Sequence, residues 1–298
     1  MSSGNLTADR RFAYAESLRA AGDIAGAAEV IAQALELAPN WAEGHFALAE
    51  ALAESGRKTE AIDAYRAYLE LDADDSMGGA ARLALLGAAA APATLPQAYV
   101  ARLFDQYAGR FDTALTEGLR YRAPLLLREA IVSAAPGRRF ARAFDLGCGT
   151  GLGGAAVRDL VGWLGGVDLS PAMLRQAEQK NIYDHLETGD MVAALGHLSA
   201  RCDLVISADA LVYLGELGPV FDAVRDALAP DGLFAFTVQR GDKDFALGPE
   251  QRFSHARGYL ERCAERAGFA VLVLHDATSR QEKGVDVPGL LGIFSAAP

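Results

Sequence analysis

The residues of this chain best placed to do chemistry are an acid followed by three glycines at alternate positions, Asp145-Leu146-Gly147-Cys148-Gly149-Thr150-Gly151. They close an apolar run of β character. A strand that ends in glycines lets a nucleoside-type ligand approach the backbone, because side chains there would block it. A second short apolar run ends in another acid, Gly166-Val167-Asp168, and Ser170-Pro171 then signals the start of a helix. Seventeen residues separate Gly151 from Asp168, room for one helix and one strand. A carboxylate at Asp168 can accept both hydroxyls of a ribose.

The run Gly149-Thr150-Gly151-Leu152-Gly153-Gly154 formally satisfies G-x-G-x-x-G, so a nicotinamide or flavin dinucleotide is one reading. Three features oppose it. Asp145 would add repulsion beside a pyrophosphate. About 140 residues precede the motif, whereas dinucleotide domains commonly open with it. The chain also ends in two strands with no helix between them.

The elements that must position these residues follow from the apolar pattern. Strands are expected near Ala141–Leu146, Trp163–Asp168, His185–Thr188, Asp203–Ser207, Gly232–Gln239, Ala270–His275 and Leu290–Phe294. Helices lie between most of them, including Pro219–Ala229 and His255–Ala267. This alternation predicts an α/β, Rossmann-like, seven-stranded and mostly parallel sheet with helices on both faces. Its last strand is antiparallel, in a final pair at one edge. Ahead of the first strand, helices are expected over Tyr99–Tyr107, 113–119 and Pro124–Ala135.

Residues 8–75 repeat with a period of 34: Gly22 matches Gly56, Ala27 Ala61, Leu18 Leu52 and Leu37 Leu71. Each unit reads as two amphipathic helices hinged at the glycine, a pattern similar to the tetratricopeptide repeat. The second unit departs from it, with Ala73 in place of the closing proline (Pro39 in the first) and the bulky Tyr68 where a small residue is expected. A capping helix is expected over Met77–Leu86. The domains are therefore residues 1–90 as a helical repeat domain, 91–97 as a linker marked by Pro92 and Pro96, and 98–298 as the α/β domain. Residues 98–138 are its leading helices.

The net charge of −11 is concentrated in the repeats, where residues 1–95 carry 7 Lys and Arg against 14 Asp and Glu. No basic cluster offers a grip on a phosphate backbone, so nucleic acid is not an expected partner. No apolar run reaches the ~18–20 residues of a membrane span, and the first ten residues lack the pattern of a secretory signal. A cytoplasmic protein is expected. Cys148, Cys202 and Cys263 form no CxxC pair and read as reduced, buried thiols rather than a metal site.

Taken in order, Asp145-x-Gly147-x-Gly149-x-Gly151, Val167-Asp168-Leu169-Ser170-Pro171-Ala172-Met173-Leu174, Gly189-Asp190-Met191 and Leu228-Ala229-Pro230-Asp231-Gly232 resemble a class I S-adenosylmethionine-dependent methyltransferase. The resemblance covers about residues 98–298. Leu233 stands where the last motif often has a second glycine. With the repeats added, the chain resembles methyltransferases that carry tetratricopeptide repeats. Val100-Ala101-Arg102-Leu103-Phe104-Asp105-Gln106-Tyr107-Ala108-Gly109-Arg110-Phe111-Asp112 is similar to the leading segment of that group.

The resemblance implies S-adenosylmethionine as cofactor. Gly147, Gly149 and Gly151 would let it approach the protein backbone, Asp145 would receive the ammonium, and Asp168 the ribose. Asp190 and the Met191 N–H would meet the adenine, with Leu169 and Met173 against its faces. Residues 98–138 would form a helical cap over the cofactor, and Tyr107 and Arg110 on it would reach the carboxylate. The acceptor side is expected after the fourth and fifth strands, at Asp209, Tyr213 and Gln239-Arg240, with His255 as a base and Arg252 orienting an anionic acceptor. The Asn-Pro-Pro-Tyr motif that suits planar amine acceptors is absent. The expected function is methyl transfer to a small-molecule or protein acceptor, the repeats binding a partner or another copy. The alternative is a catalytically silent methyltransferase fold used as a scaffold.

Overall fold

The computed structural model describes residues 2–113, 120–282 and 284–296. The helix expected over 113–119 lies outside them beyond its first residue, and so does the Arg110 side chain. The chain forms two compact units, residues 1–99 and 100–298.

The first unit holds the repeats: α1 (Leu6–Ala20), α2 (Ile24–Leu37), α3 (Ala42–Glu54), α4 (Lys58–Leu71) and α5 (Gly79–Leu85). Asn5 caps α1 by accepting from the Thr7 and Ala8 N–H groups, and Asp23 caps α2 from Gly26. Gly22 and Gly56 turn the chain between paired helices at φ of 86° and 79°, a conformation costly for other residues. Ala27, Ala49 and Ala61 are fully buried where helices approach. The departure at Tyr68 has a local answer. Its ring is fully buried, and a Cβ on Gly79 would stand 2.7 Å from it. Its hydroxyl donates to Asp72 Oδ2 at 2.9 Å and accepts from the Met77 N–H at 2.8 Å. Gly79 thus makes room for the bulk of Tyr68, and α5 caps the pair.

The second unit is led in by α6 (Gln97–Tyr107), a one-turn α7 (Phe111–Thr113) and α8 (Ala123–Ala134). There follow β1 (Phe140–Leu146), α9 (Leu152–Val157), β2 (Val161–Asp168), α10 (Pro171–Gln179), β3 (His185–Thr188), α11 (Met191–Gly196) and β4 (Cys202–Ser207). Then come α12 (Gly218–Ala227), β5 (Leu228–Arg240), β6 (Phe245–Leu247), β7 (Phe253–His255), α13 (Arg257–Ala267) and β8 (Phe269–Ala277). The short pair β9 (Gln281–Glu282) and β10 (Val285–Asp286) precedes β11 (Gly289–Ala296).

The main sheet runs β3-β2-β1-β4-β5-β11-β8, with β1 to β5 parallel. β11 is antiparallel to both β5 and β8. The last two strands thus form the expected antiparallel pair at one edge of the sheet, with β8 outermost and β11 between it and β5. Side-chain burial gives the reason. β11 is buried almost throughout, whereas β8 exposes Val271 and Leu272. Two faces of core enclose the sheet, one around Phe221, Phe236 and Phe294 and the other around Leu127, Ile131 and Ile206. β6 and β7 are too short to show a sequence period, and β7 extends the end of β5 by pairing Gln239 with Ser254 and Arg240 with His255. The helix expected from His255 begins instead at Arg257.

No helix among the described residues is long and apolar enough to cross a membrane. The three cysteines are buried and unbridged.

Candidate functional site

Strand order reverses between β1 and β4, and ligands of open α/β sheets sit at the carboxyl ends on either side of such a point. Beyond β1 the chain turns through Gly147, Gly149 and Gly151 at φ of 66°, 54° and 90°. A Cβ on Gly147 would lie 2.4 Å from that of Ala210, so this glycine serves packing. Gly149 instead faces open space, the nearest atom to its Cβ position being Phe111 Cε1 at 3.9 Å. That is a cradle a ligand can reach. Gly154, third glycine of the formal dinucleotide motif, makes room for the chain itself, since a Cβ there would stand 2.3 Å from the Tyr183 hydroxyl. That hydroxyl donates to Asp145 Oδ2 at 2.7 Å.

Two acids bracket the loop. Asp168 Oδ2 accepts from the Gly149 N–H at 2.9 Å and Oδ1 from the Ser170 N–H at 2.8 Å. Burial raises its pKa while these two N–H groups pull it back. Each oxygen retains acceptor capacity for a ligand hydroxyl. Asp145 is buried, and its Oδ1 has no hydrogen-bond partner among the described residues. Burial raises its pKa to about 7, and the Asp168 charge adds to this. The Tyr183 hydroxyl and the Gly154 N–H oppose the rise, the latter without completing a hydrogen bond. A buried carboxylate oxygen with nothing to accept is costly, and a cationic N–H group would satisfy it. Asp145, Asp168 and the Gly149 cradle thus fit the ammonium, ribose and backbone-contacting parts of S-adenosylmethionine.

The other expected cofactor residues divide. Asp190 Oδ1 caps α11, accepting from the Val192 and Ala193 N–H groups at 2.9 and 3.0 Å, which fixes it beyond the end of β3. Met191 is half-buried against the core, and Leu169 is half-buried beside Asp168. Met173 is fully buried on the inner face of α10, leaving no surface for an adenine, and we withdraw that contact. Tyr107 ends α6 with 42% exposure.

Two residues not singled out as site residues from sequence tie the leading segment down. Asp105 Oδ1 accepts from Ser170 Oγ at 2.6 Å and the Ala172 N–H at 3.1 Å. Asp112 accepts from Thr150 Oγ1 and from Lys180 Nζ at 2.7 Å. Both latches hold residues beside the glycine loop or Asp168. From there Phe104 contacts Phe111 with ring centroids 5.8 Å apart and Tyr213 at 5.4 Å.

Beyond β4, Asp209 is held at φ 62° with its N–H donating to Thr237 Oγ1 at 2.9 Å. Its carboxylate accepts from Arg280 Nη1 at 2.6 Å and Ser279 Oγ at 3.3 Å. Arg280 also donates to Gln239 Oε1 at 3.1 Å and to Glu282 Oε1 at 3.0 Å. The same Glu282 oxygen receives Arg252 Nη1 at 2.6 Å. His255 lies in β7, fully buried, with Nε2 donating to the Leu214 and Gly215 carbonyls at 2.9 and 3.1 Å.

Residues 143–232 match a methyltransferase domain family, and residues 18–85 match a tetratricopeptide repeat family. The α/β unit is a class I S-adenosylmethionine-dependent methyltransferase domain. A malonyl-[acyl-carrier protein] O-methyltransferase from Enterobacter lignolyticus is 34% identical over 114 residues, 38% of this chain and 45% of that protein. The 18S rRNA (guanine-N(7))-methyltransferase of Bos taurus is 31% identical over 134 residues, 44% of this chain and 47% of that one. The chain thus spans less than half the length of these curated relatives. The solved 1,6-didemethyltoxoflavin-N1-methyltransferase of Burkholderia thailandensis shares the fold, with a TM-score of 0.51 and 20% identity over 70% of this chain and 94% of that one.

Within the methyltransferase domain, two expected catalytic residues take other roles. Asp209 is charge-paired with the buried Arg280 and is no base. His255 has its Nε2–H committed to carbonyls, and burial lowers its pKa to about 4. It ties β7 to the loop after β4, and we withdraw it as a base. His255→Ala should destabilise the domain by about 2–4 kcal/mol, read from denaturant midpoints, with the turnover of the remaining folded protein unchanged. A turnover loss without a stability loss would contradict this.

Proposed function

We propose that this chain transfers a methyl group from S-adenosylmethionine to a small-molecule or protein acceptor, its repeats serving partner binding or self-association. The observation that carries the reading is the unsatisfied Asp145 oxygen beside a glycine loop pinned by Asp168. In this reading Asp145 receives the ammonium, Asp168 both ribose hydroxyls, and Asp190 with the Met191 N–H the adenine edge. When bound, the sulfonium supplies a methyl already activated for in-line displacement. The chain contributes alignment and exclusion of water. Phe104, Phe111 and Tyr213 form the apolar wall that does the latter, and Asp105 and Asp112 hold the wall in place.

All the proposed cofactor residues lie beyond residue 98. A fragment of residues 98–298 should therefore bind S-adenosylmethionine with a Kd within about twofold of the full chain by calorimetry. Loss of binding on removal of the repeats would contradict both the proposed boundary and this assignment of roles.

A further inference from the structure

An unbroken aromatic path leads from the cofactor loop to a guanidinium. It starts at Phe111, 3.9 Å from the Cβ position of Gly149, and passes through Phe104 to Tyr213. Tyr213 in turn lies near Arg252, close enough for its hydroxyl to favour the charged guanidinium. Of the arginines at this end of the sheet, Arg240 pairs with Asp276 at the surface, and Arg280 and Arg252 differ from each other. Arg280 is 3% exposed and spends its Nε and both terminal nitrogens on Glu282, Asp209 and Gln239. The Arg252 side chain is 27% exposed, and its bond to Glu282 occupies only part of its five N–H donors. Its carboxylate partner is shared, since Glu282 Oε1 already serves Arg280.

The acids, Tyr121 and His255 around this guanidinium are already committed to other partners. Asp209 is paired with Arg280, and Glu282 holds two guanidinium groups. The Tyr121 hydroxyl donates to the Ala208 carbonyl at 3.2 Å, and burial pushes its pKa well up. His255 is committed to two carbonyls. A hydroxyl or ammonium acceptor must lose a proton as it is methylated, whereas a carboxylate has none to lose.

We propose that the acceptor is a carboxylate, gripped by Arg252 and methylated on oxygen without a general base. The proposal rests on the methyltransferase reading above. A carboxylate oxygen lone pair forms the new C–O bond to the methyl carbon while the C–S bond breaks and its electron pair stays on sulfur. The negative carboxylate and positive sulfonium become a neutral methyl ester and a thioether. No proton moves.

A methyl ester releases methanol in mild alkali, whereas N-methyl, C-methyl and ether products retain the label. The full chain is incubated with methyl-labelled S-adenosylmethionine and an extract of the cells that produce it, and volatile label is counted after alkali. The label should be alkali-labile. Arg252→Gln should reduce it by about 30-fold, while Arg252→Lys, which keeps the charge, retains about a tenth. Cofactor Kd measured by calorimetry should stay within about twofold in both variants. Label that survives alkali, or labile label that Arg252→Gln leaves unchanged, would overturn the proposal while leaving the methyltransferase reading intact. Failure of the unaltered chain to bind S-adenosylmethionine would instead overturn that reading and this proposal with it.

Discussion

Replacing Asp168 with alanine is expected to weaken S-adenosylmethionine binding by about two to four orders of magnitude. Two ribose hydroxyls would lose a charged acceptor, and hydrogen bonds to charged groups contribute roughly 1.5–3 kcal/mol each. The loop would suffer as well. The Gly149 and Ser170 N–H groups, now 2.9 and 2.8 Å from the carboxylate, would lose their acceptor, and Gly149 is the residue that faces the cofactor space. Calorimetry on the folded variant checks this. A Kd within about threefold of the unaltered protein would remove Asp168 from the site.

The second large effect concerns Asp145 and depends on pH. Its folded pKa of about 7 lies above its ordinary value of 3.8. Between these values the native state holds a proton that the unfolded state has released. Stability without cofactor therefore falls as pH rises from about 4, and the loss is complete above about 7. The full penalty is on the order of 4 kcal/mol. Asp145→Asn has no charge to bury, but its amide must find a partner, so a net gain of about 1–3 kcal/mol is expected at pH 8. The cofactor's ammonium needs the ionised carboxylate. Affinity of the unaltered protein should thus drop about tenfold from pH 8 to pH 6, and Asp145→Asn should bind about 10- to 100-fold more weakly at pH 8 with little pH dependence. A variant that is destabilised at pH 8 yet binds normally would contradict this account of Asp145.

What could be read from sequence and what could not divides by the distance along the chain over which each contact acts. The places of Gly149 and Asp168 after neighbouring strands were legible because a strand, a turn and a helix start are local signals; their hydrogen bond follows from β1 and β2 running parallel. The repeats were legible for the same reason: Gly22 and Gly56 mark hinges that need no tertiary context. Arg280 was not legible. Its partners Gln239 and Asp209 lie 41 and 71 residues earlier, and only the return of the chain through β9 and β10 brings it to them. Asp112 likewise meets Thr150 and Lys180 across 38 and 68 residues. His255 misled because a Ser-His pair before a helix resembles a helix start. Pairing of β7 with the end of β5 outweighed that local preference and buried the ring. Tyr183 carried no motif, yet it accounts for Gly154 and fixes one oxygen of Asp145, while the other has no partner among the described residues.

The identity of the methyl donor is the centre of the account, and one titration tests it most directly. The full chain is titrated by calorimetry with S-adenosylmethionine and, separately, with NAD at pH 8. Saturable one-to-one binding of S-adenosylmethionine, with no heat from NAD at the same concentrations, is the expected result. Binding of NAD with none of S-adenosylmethionine would contradict it, and would return the glycine loop from Asp145 to Gly154 to the dinucleotide reading.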